Sequence, residues 1–277
     1  MSIDVLQNKI RKLKSPCMLS FPAADHWLPE GMGYEQASAA VMEALKDTVP
    51  ALRFSLAGFA LQGEQGVALL RSLLSKAKAL GYYVALDAPA VWEEAEAEAA
   101  AASLSGDLWQ YDALIVSPWA GSDGWKGYMP LCRQGKDIFL ILRSGSRSAA
   151  QLQDLLTGSR LVHQAAADQA SHYGKDHMAR CGYSAVGGVS SAAAAQINSG
   201  LRGKYKNMFL LVEGYDTKGA NAKNCAGAFD KFGHGAIVCA GSSILTAWKE
   251  GEEGLEEAAR KAAQRMKKNI LSYIQLL

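Results

Sequence analysis

Two charged side chains stand at the ends of short apolar runs: Arg53 in ALRFS and Asp87 in YVALD. A positioned carboxylate can move a proton, whereas arginine stays protonated to above pH ~12 and can only stabilise negative charge. The same pair could equally satisfy one another as a structural ion pair, because charge networks that only hold a fold resemble active sites. Other candidates are weaker. His26, His163, His172, His177 and His234 show no metal-ligand spacing, and His172 and His177 are five apart rather than four, so they are read as surface residues. Cys239 ends an apolar run, but a thiol nucleophile needs a base and none stands near in sequence, so packing is the better reading. GGVSS, residues 187–191, precedes a helix-like stretch and could offer backbone N–H groups to an anion, or Ser190 or Ser191 could be an N-cap. The basic stretch Arg260–Lys268 follows acidic residues in the last helical segment, an order that suits the helix dipole and a solvated face.

The elements that must position these residues alternate along the whole chain. Short runs rich in Val, Ile, Leu and aromatics predict strands near Cys17–Phe21, Ala51–Leu56, Tyr82–Asp87, Asp112–Ser117, Asp137–Leu142, Tyr183–Gly188, Asn207–Val212 and Gly235–Cys239. Between them, Ala-rich stretches with helical spacing predict helices at Tyr34–Asp47, Gln65–Leu80, Val91–Leu104, Gly124–Gln134, Ala149–Ala179, Ser190–Leu201, Gly219–Phe229 and Gly251–Ile274. Eight β-then-α units predict an α/β chain folded as one (β/α)8 TIM barrel over 1–277, with a doubly wound sheet as the alternative. Residues 1–14, with a helix at Ile3–Lys12, are expected to cap the barrel floor. In such a barrel, chemistry gathers at the C-terminal ends of the strands, where Arg53 and Asp87 fall.

Composition narrows the function. The chain has 277 residues, 29 basic and 27 acidic, and no basic run of the kind that tracks phosphates, so a nucleic-acid partner is not expected. Its apolar runs are far shorter than a membrane span, and MSIDVLQNKIRKLKS lacks the apolar core of a secretory leader. Cys17, Cys132, Cys181, Cys225 and Cys239 are scattered, without C-x-x-C spacing, which suits free thiols in a reducing cytoplasm. No metal and no cofactor are expected.

Several segments carry a resemblance to one family. VPALRFSLAGFALQG, residues 49–63, resembles the second strand and following turn of the orotidine 5′-monophosphate decarboxylases, in their longer bacterial branch. VALDAPAVWEEAEAEA, residues 84–99, sits where that family has D-x-K-x-x-D, and IVSPWAGSDGW resembles its V-N-P-Y-x-G-x-D. DIFLILRSGSRSAAQLQDL resembles its fifth strand and T-S-N loop. LLVEGYDTKGANAKNCAGAFDKFGHGAIVCAGSSI resembles its P-G-Y-G-A-Q-G-G and N-S-S-R-x-I loops. The resemblance runs from about Ile3 to about Ile270 and implies a dimeric (β/α)8 barrel acting on a nucleotide-like small molecule.

The family's reaction leaves a carbanion that requires a cation and proton donor beside it. The resemblance places its first lysine at Arg53 and its first aspartate at Asp87, but its proton-donating lysine at Pro89 and its last aspartate at Trp92. Trp92 is read as interface packing. The family's phosphate-binding arginine falls on Ser242, its glutamine on Lys218, and two loop positions on Glu213 and Asp216, two carboxylates that would repel a dianion in that seat. Phe21 replaces an aspartate and Gly145 a serine, while Gly214 and Tyr215 match. The ligand positions so implied are Ser117, Ser144, Ser146, Tyr215, Lys218, Gly241 and Ser242. The expectation is a homodimeric barrel that has lost decarboxylase activity, as a binding or regulatory protein or an enzyme of altered substrate. The alternatives are an authentic decarboxylase using Arg53 or Lys218 as its cation, and an interaction subunit that pairs with an active homologue.

Overall fold

The computed structural model describes residues 2–215, 217 and 220–276. The chain opens with helix α1 (Ser2–Leu13), whose Ile3, Leu6 and Ile10 recur at helical spacing and are fully buried. Asp4 lies in its first turn and Arg11 and Lys12 in its last, an order that favours the helix dipole. The helix stops where Lys14 adopts φ 48°, while Ser15 N–H donates to Ile10 O at 3.0 Å, a Schellman-type end.

Beyond α1 the chain alternates. It runs β1 (Cys17–Ser20), α2 (Tyr34–Leu45), β2 (Ala51–Ser55), α3 (Leu56–Ala60), α4 (Gly63–Ala79), β3 (Tyr83–Asp87), α5 (Glu94–Leu104) and β4 (Ala113–Val116). Then follow α6 (Asp123–Lys126), α7 (Pro130–Arg133), β5 (Asp137–Ile141), α8 (Ala150–Gln153), β6 (Leu156–Thr157), β7 (Arg160–Leu161), α9 (Val162–Gly174) and β8 (Val186–Ser191). The last third holds α10 (Ala195–Lys204), β9 (Leu210–Glu213), α11 (Ala222–Ala226), β10 (Ala236–Ala240), α12 (Ser242–Leu245) and α13 (Leu255–Leu271). Eight parallel strands close into a barrel in the order β1-β10-β9-β8-β5-β4-β3-β2, and the short hairpin β6–β7 stands apart. The fold is the (β/α)8 barrel, not the doubly wound sheet.

Because strand side chains alternate, each barrel strand has one face inward and one outward. Met18, Ala51, Ala85, Ile115, Phe139, Val189, Leu211 and Ile237 form the interior together with Ile3, Leu6 and Ile10 of α1. Leu19, Leu52, Leu86, Val116, Leu140, Val212 and Val238 belong to the outer core, beneath the helices. At the floor, Asp137 is fully buried and its Oδ2 accepts from the Tyr83 hydroxyl at 2.7 Å.

The sequence placed four elements differently, and the first is the helix expected at Gly124–Gln134, which is two short helices, α6 and α7. Gly187–Ser191 does not open a helix but lies within β8, so strand six runs later than Tyr183–Gly188 and α10 begins only at Ala195. Packing sets this: a Cβ at Gly188 would lie 2.4 Å from Leu142, and one at Gly187 2.6 Å from Phe139 and from Phe209 O. The glycines admit neighbouring side chains rather than an anion. Ala149–Ala179 is not one helix either. The hairpin β6–β7 divides it, turning at Gly158 with φ 63°, as a Gly-X two-residue turn allows. Of the helix expected at Gly219–Phe229, Gly219 lies outside the described residues and the rest holds only the short α11, where Asn221 Oδ1 accepts from Lys223 N at 3.0 Å as N-cap.

Candidate ligand site at the barrel mouth

Strand alternation decides which residues face the mouth. Arg53 stands two positions after interior Ala51, Asp87 two after Ala85, Ser191 two after Val189 and Glu213 two after Leu211, so all four continue the inward face. In the ladder, Ser55 is opposite Asp87 and Arg53 opposite Ala85, which puts Arg53 diagonal to Asp87 on the neighbouring strand. Glu213 on β9 is opposite Ser191 on one side and Cys239 on the other.

Arg53 joins these strands. Its Nε donates to Asp87 Oδ1 at 2.8 Å and its Nη2 to Asp87 Oδ2 at 2.7 Å, a bidentate fork. Its Nη1 lies 2.6 Å from Glu213 Oε1, too poorly aligned for a hydrogen bond but a close charge contact. The three side chains retain 18%, 23% and 21% of their exposure, so the cluster is sheltered yet open to a ligand. Burial by itself would lower the Arg53 pKa, but Glu213 and Asp87 outweigh it and hold the guanidinium above its ordinary value. Burial raises the Glu213 carboxyl, Arg53 opposes that shift and Asp87 adds to it. Beneath them burial pushes the Cys239 thiol up to about 12, so it is a neutral packing group at ordinary pH.

The arrangement therefore brings together Arg53 and Asp87, as the sequence suggested, and adds Glu213 as a partner. The sequence reading took Glu213 as a charge that would repel an anionic ligand. Its nearest cation instead absorbs it, and the cluster of one cation and two carboxylates carries a formal charge of −1. The signal lay in the two-residue spacing of Glu213 from Leu211, but recognising the contact requires the closed ring.

The other implied positions are dispersed. Pro89 is half-buried beyond β3, and Trp92 is 72% exposed. Ser117 Oγ accepts from Trp119 N at 3.4 Å. Ser144 and Ser146 lie with hydroxyl oxygens 3.5 Å apart in the loop after β5. In that loop Arg143 turns away to Asp154, Nε to Oδ1 at 2.9 Å and Nη2 to Oδ2 at 3.0 Å. Tyr215 is 2% exposed within the outer core, and Asn269 Nδ2 of α13 donates to its hydroxyl at 3.5 Å. Gly241 stands at the start of α12 and Ser242 is exposed. Lys218 and Asp216 lie outside the described residues. Phe21, at the end of β1, stacks on Phe54 with centroids 5.3 Å apart, so it belongs to an aromatic cluster under the loops rather than to the mouth.

One surface assignment is corrected. His163 is 2% exposed, with Nδ1 3.0 Å from Gln153 O and 3.3 Å from Asp154 Oδ1. It is a core histidine that fixes the loop carrying Arg143. Among the described residues no group of three His, Cys, Asp or Glu side chains is placed to hold a metal ion, and no helix is long and apolar enough to cross a membrane.

No family model matches the chain. An orotidine 5′-phosphate decarboxylase of Clostridium novyi is 27% identical over 241 residues, covering 85% of this chain and 83% of that protein. One of Clostridium botulinum is 27% identical over 285 aligned positions, covering 98% of this chain and 99% of that protein. The structure of Leishmania donovani OMP decarboxylase superposes with a TM-score of 0.77 over 98% of both chains at 20% identity, a likeness of fold. Across nearly its full length the chain is similar in sequence to orotidine 5′-phosphate decarboxylases, and it shares the fold of an OMP decarboxylase.

Proposed function

We propose that this barrel binds a small molecule at its mouth without decarboxylating orotidine 5′-monophosphate. One observation carries the reading: the Arg53 guanidinium is engaged on both sides, by Asp87 at 2.7 and 2.8 Å and by Glu213 at 2.6 Å. A cation already neutralised by two carboxylates offers little to a developing carbanion or to a phosphate dianion. Proline at position 89 has no proton to give, and Ser242 has no charge to offer a phosphate. The net negative Arg53–Asp87–Glu213 cluster favours a neutral or cationic ligand, nucleoside-like in size, over a nucleotide. A unit charge about 5 Å from a like charge costs on the order of 1–3 kcal/mol at an effective dielectric of 20 or above.

We assign the chain to the cytoplasm, in keeping with its free cysteines, and to a homodimer, because Trp92 presents a large aromatic surface to solvent in the single chain.

The direct test is turnover. Purified protein incubated with orotidine 5′-monophosphate is expected to release no CO2 and form no UMP. Turnover that survives repurification and disappears in Arg53→Ala would establish the opposite reading, an authentic decarboxylase with a rearranged charge array. A thermal-shift comparison tests the ligand class, since a ligand bound only by the native state raises apparent stability. Uridine is expected to stabilise more than UMP.

A further inference from the structure

We propose that the groove beneath the barrel floor, between α1 and the loops leading into β8 and β10, binds a phosphate-bearing small molecule. The groove encloses about 600 Å³ and is lined by polar residues, among them Asp4, Gln7, Asn8, Arg11 and Arg180. That volume is in the range of small-ligand sites, and the lining is unusually rich in donors.

Three independent features of the groove point to an anionic ligand. First, the Arg11 and Arg180 guanidiniums face it and, among the described residues, have no hydrogen-bond or ion-pair partner. Arg53, Arg143 and Arg202 are engaged, by Asp87, by Asp154 and by the carbonyls of Ala228 and Gly235, whereas exposed Arg133, Arg147 and Arg265 are as unengaged as Arg11 and Arg180 among the described residues; what sets the pair apart is that both line one groove. Second, the one carboxylate in the lining is already hydrogen-bonded within the groove wall. Asp4 Oδ1 accepts from the Cys181 backbone N–H at 2.8 Å, which ties α1 to the loop before β8. Two cations thus face a single, already hydrogen-bonded acid.

Third, Gln7 is 3% exposed, and its Oε1 accepts from Gly235 N–H at 3.2 Å. That bond fixes the amide orientation, so Nε2 is the remaining end, a buried donor with no partner. A buried donor left unpaired is costly, and a small turn of the Gln7 side chain toward the groove, meeting a ligand's acceptor, would relieve it. The groups awaiting partners are therefore all donors, and two carry positive charge. Guanidinium forks match the edges of a phosphate better than those of a monodentate acceptor. The groove lies at the N-terminal ends of the strands, so it is separate from the Arg53 cluster at their C-terminal ends.

The test uses pyrophosphate as probe, titrated by calorimetry at low ionic strength into the full chain. Single-site saturation is expected. Arg11→Ala/Arg180→Ala should weaken binding at least about tenfold, because two charge-assisted contacts are lost. Both residues are exposed, so their removal leaves the core untouched. Gln7→Glu keeps the acceptor for Gly235 N–H but replaces the donor by a carboxylate, and should weaken binding to a similar degree. Arg147→Ala/Lys223→Ala removes the same charge from exposed positions at the opposite, C-terminal ends of the strands and should leave affinity within about twofold, since distant charges are screened. Malonate should bind more weakly than pyrophosphate. Absence of saturable binding, an unchanged affinity in Arg11→Ala/Arg180→Ala, an equal loss in the remote pair, or tighter binding of malonate would each overturn the proposal.

Discussion

At the barrel mouth Arg53 is held on two sides by carboxylates, whereas at the floor Arg11 and Arg180 face solvent without partners. The same eight strands supply both ends, so the contrast does not come from the scaffold. At the mouth, side chains that continue the inward face of neighbouring strands are brought within reach of one another. At the floor a helix is laid across the opening, and its apolar residues fill the ring while its polar residues turn outward. The mouth is consequently a closed charge cluster, and the floor a plug with an open polar flank. Position in a fold does not by itself make a residue available, because what matters is whether its neighbours already satisfy it.

The contrast can be broken most forcefully at the plug. Leu6→Ala removes a fully buried side chain from the interior and should lower the unfolding free energy by about 2–5 kcal/mol in urea titration. A loss under about 1 kcal/mol would mean that α1 adds little to the barrel core.

Next comes the floor acid. Burial pushes Asp137 up to about 8, against the opposing hydrogen bonds from Tyr83 and Ile3. Between its ordinary value of 3.8 and about 8 the folded protein holds a proton that the unfolded chain has released, so stability should fall as pH rises through that window. The slope should approach, at most, about 1.4 kcal/mol per pH unit. Urea midpoints measured from pH 5 to pH 8 should show that decline in the native chain and a flatter profile in Asp137→Asn, which retains an acceptor for Tyr83. Parallel profiles would assign the pH dependence to other groups.

At the mouth, Glu213→Ala removes one of the two carboxylates on Arg53 and brings the cluster to neutrality. UMP should then bind about tenfold tighter, by calorimetry, than it binds the unmodified chain. An unchanged affinity would show that the cluster does not face the ligand. The smallest effect on the folded chain is expected from Trp92→Ala. This side chain is 72% exposed, so unfolding at low protein concentration should change by less than about 0.5 kcal/mol. Sedimentation should nevertheless shift from dimer toward monomer, and a sedimentation profile identical to that of the unmodified chain would remove Trp92 from the interface.

Much of the scaffold was legible because the alternation of short apolar runs and Ala-rich stretches is local. The strands at Ala51, Tyr83, Ala113 and Asp137 lie within a residue or two of their expected places. Strand six was misplaced because the reason for Gly187 and Gly188 is not local: the space they leave is filled by Phe139, Phe209 and Leu142 from other strands. The break after Gln153 turns on the short hairpin at Gly158, and the Ala- and Gln-rich sequence around it masked that turn. Arg53 and Asp87 could be picked out because both end strands. Glu213 could be picked out too, but not its partner, because β9 meets β2 only when the ring closes. His163 was assigned to the surface because nothing in its neighbourhood announces burial. Its carbonyl and carboxylate partners come from Gln153 and Asp154, ten and nine residues earlier.

The strand order gives the Arg53 contacts a mechanical meaning. Around the ring β3 and β9 stand diametrically opposite, four strands apart by either route, and Arg53 grips Asp87 on one and Glu213 on the other. The guanidinium is thus a strut across the diameter of the rim. Such a strut stiffens the opening against becoming oval, the distortion by which a ring of strands would widen for a large guest. Any molecule that enters deeply must either fit beside the strut or dislodge it, so the stiffness of the rim, as much as its charge, sets what this barrel can admit.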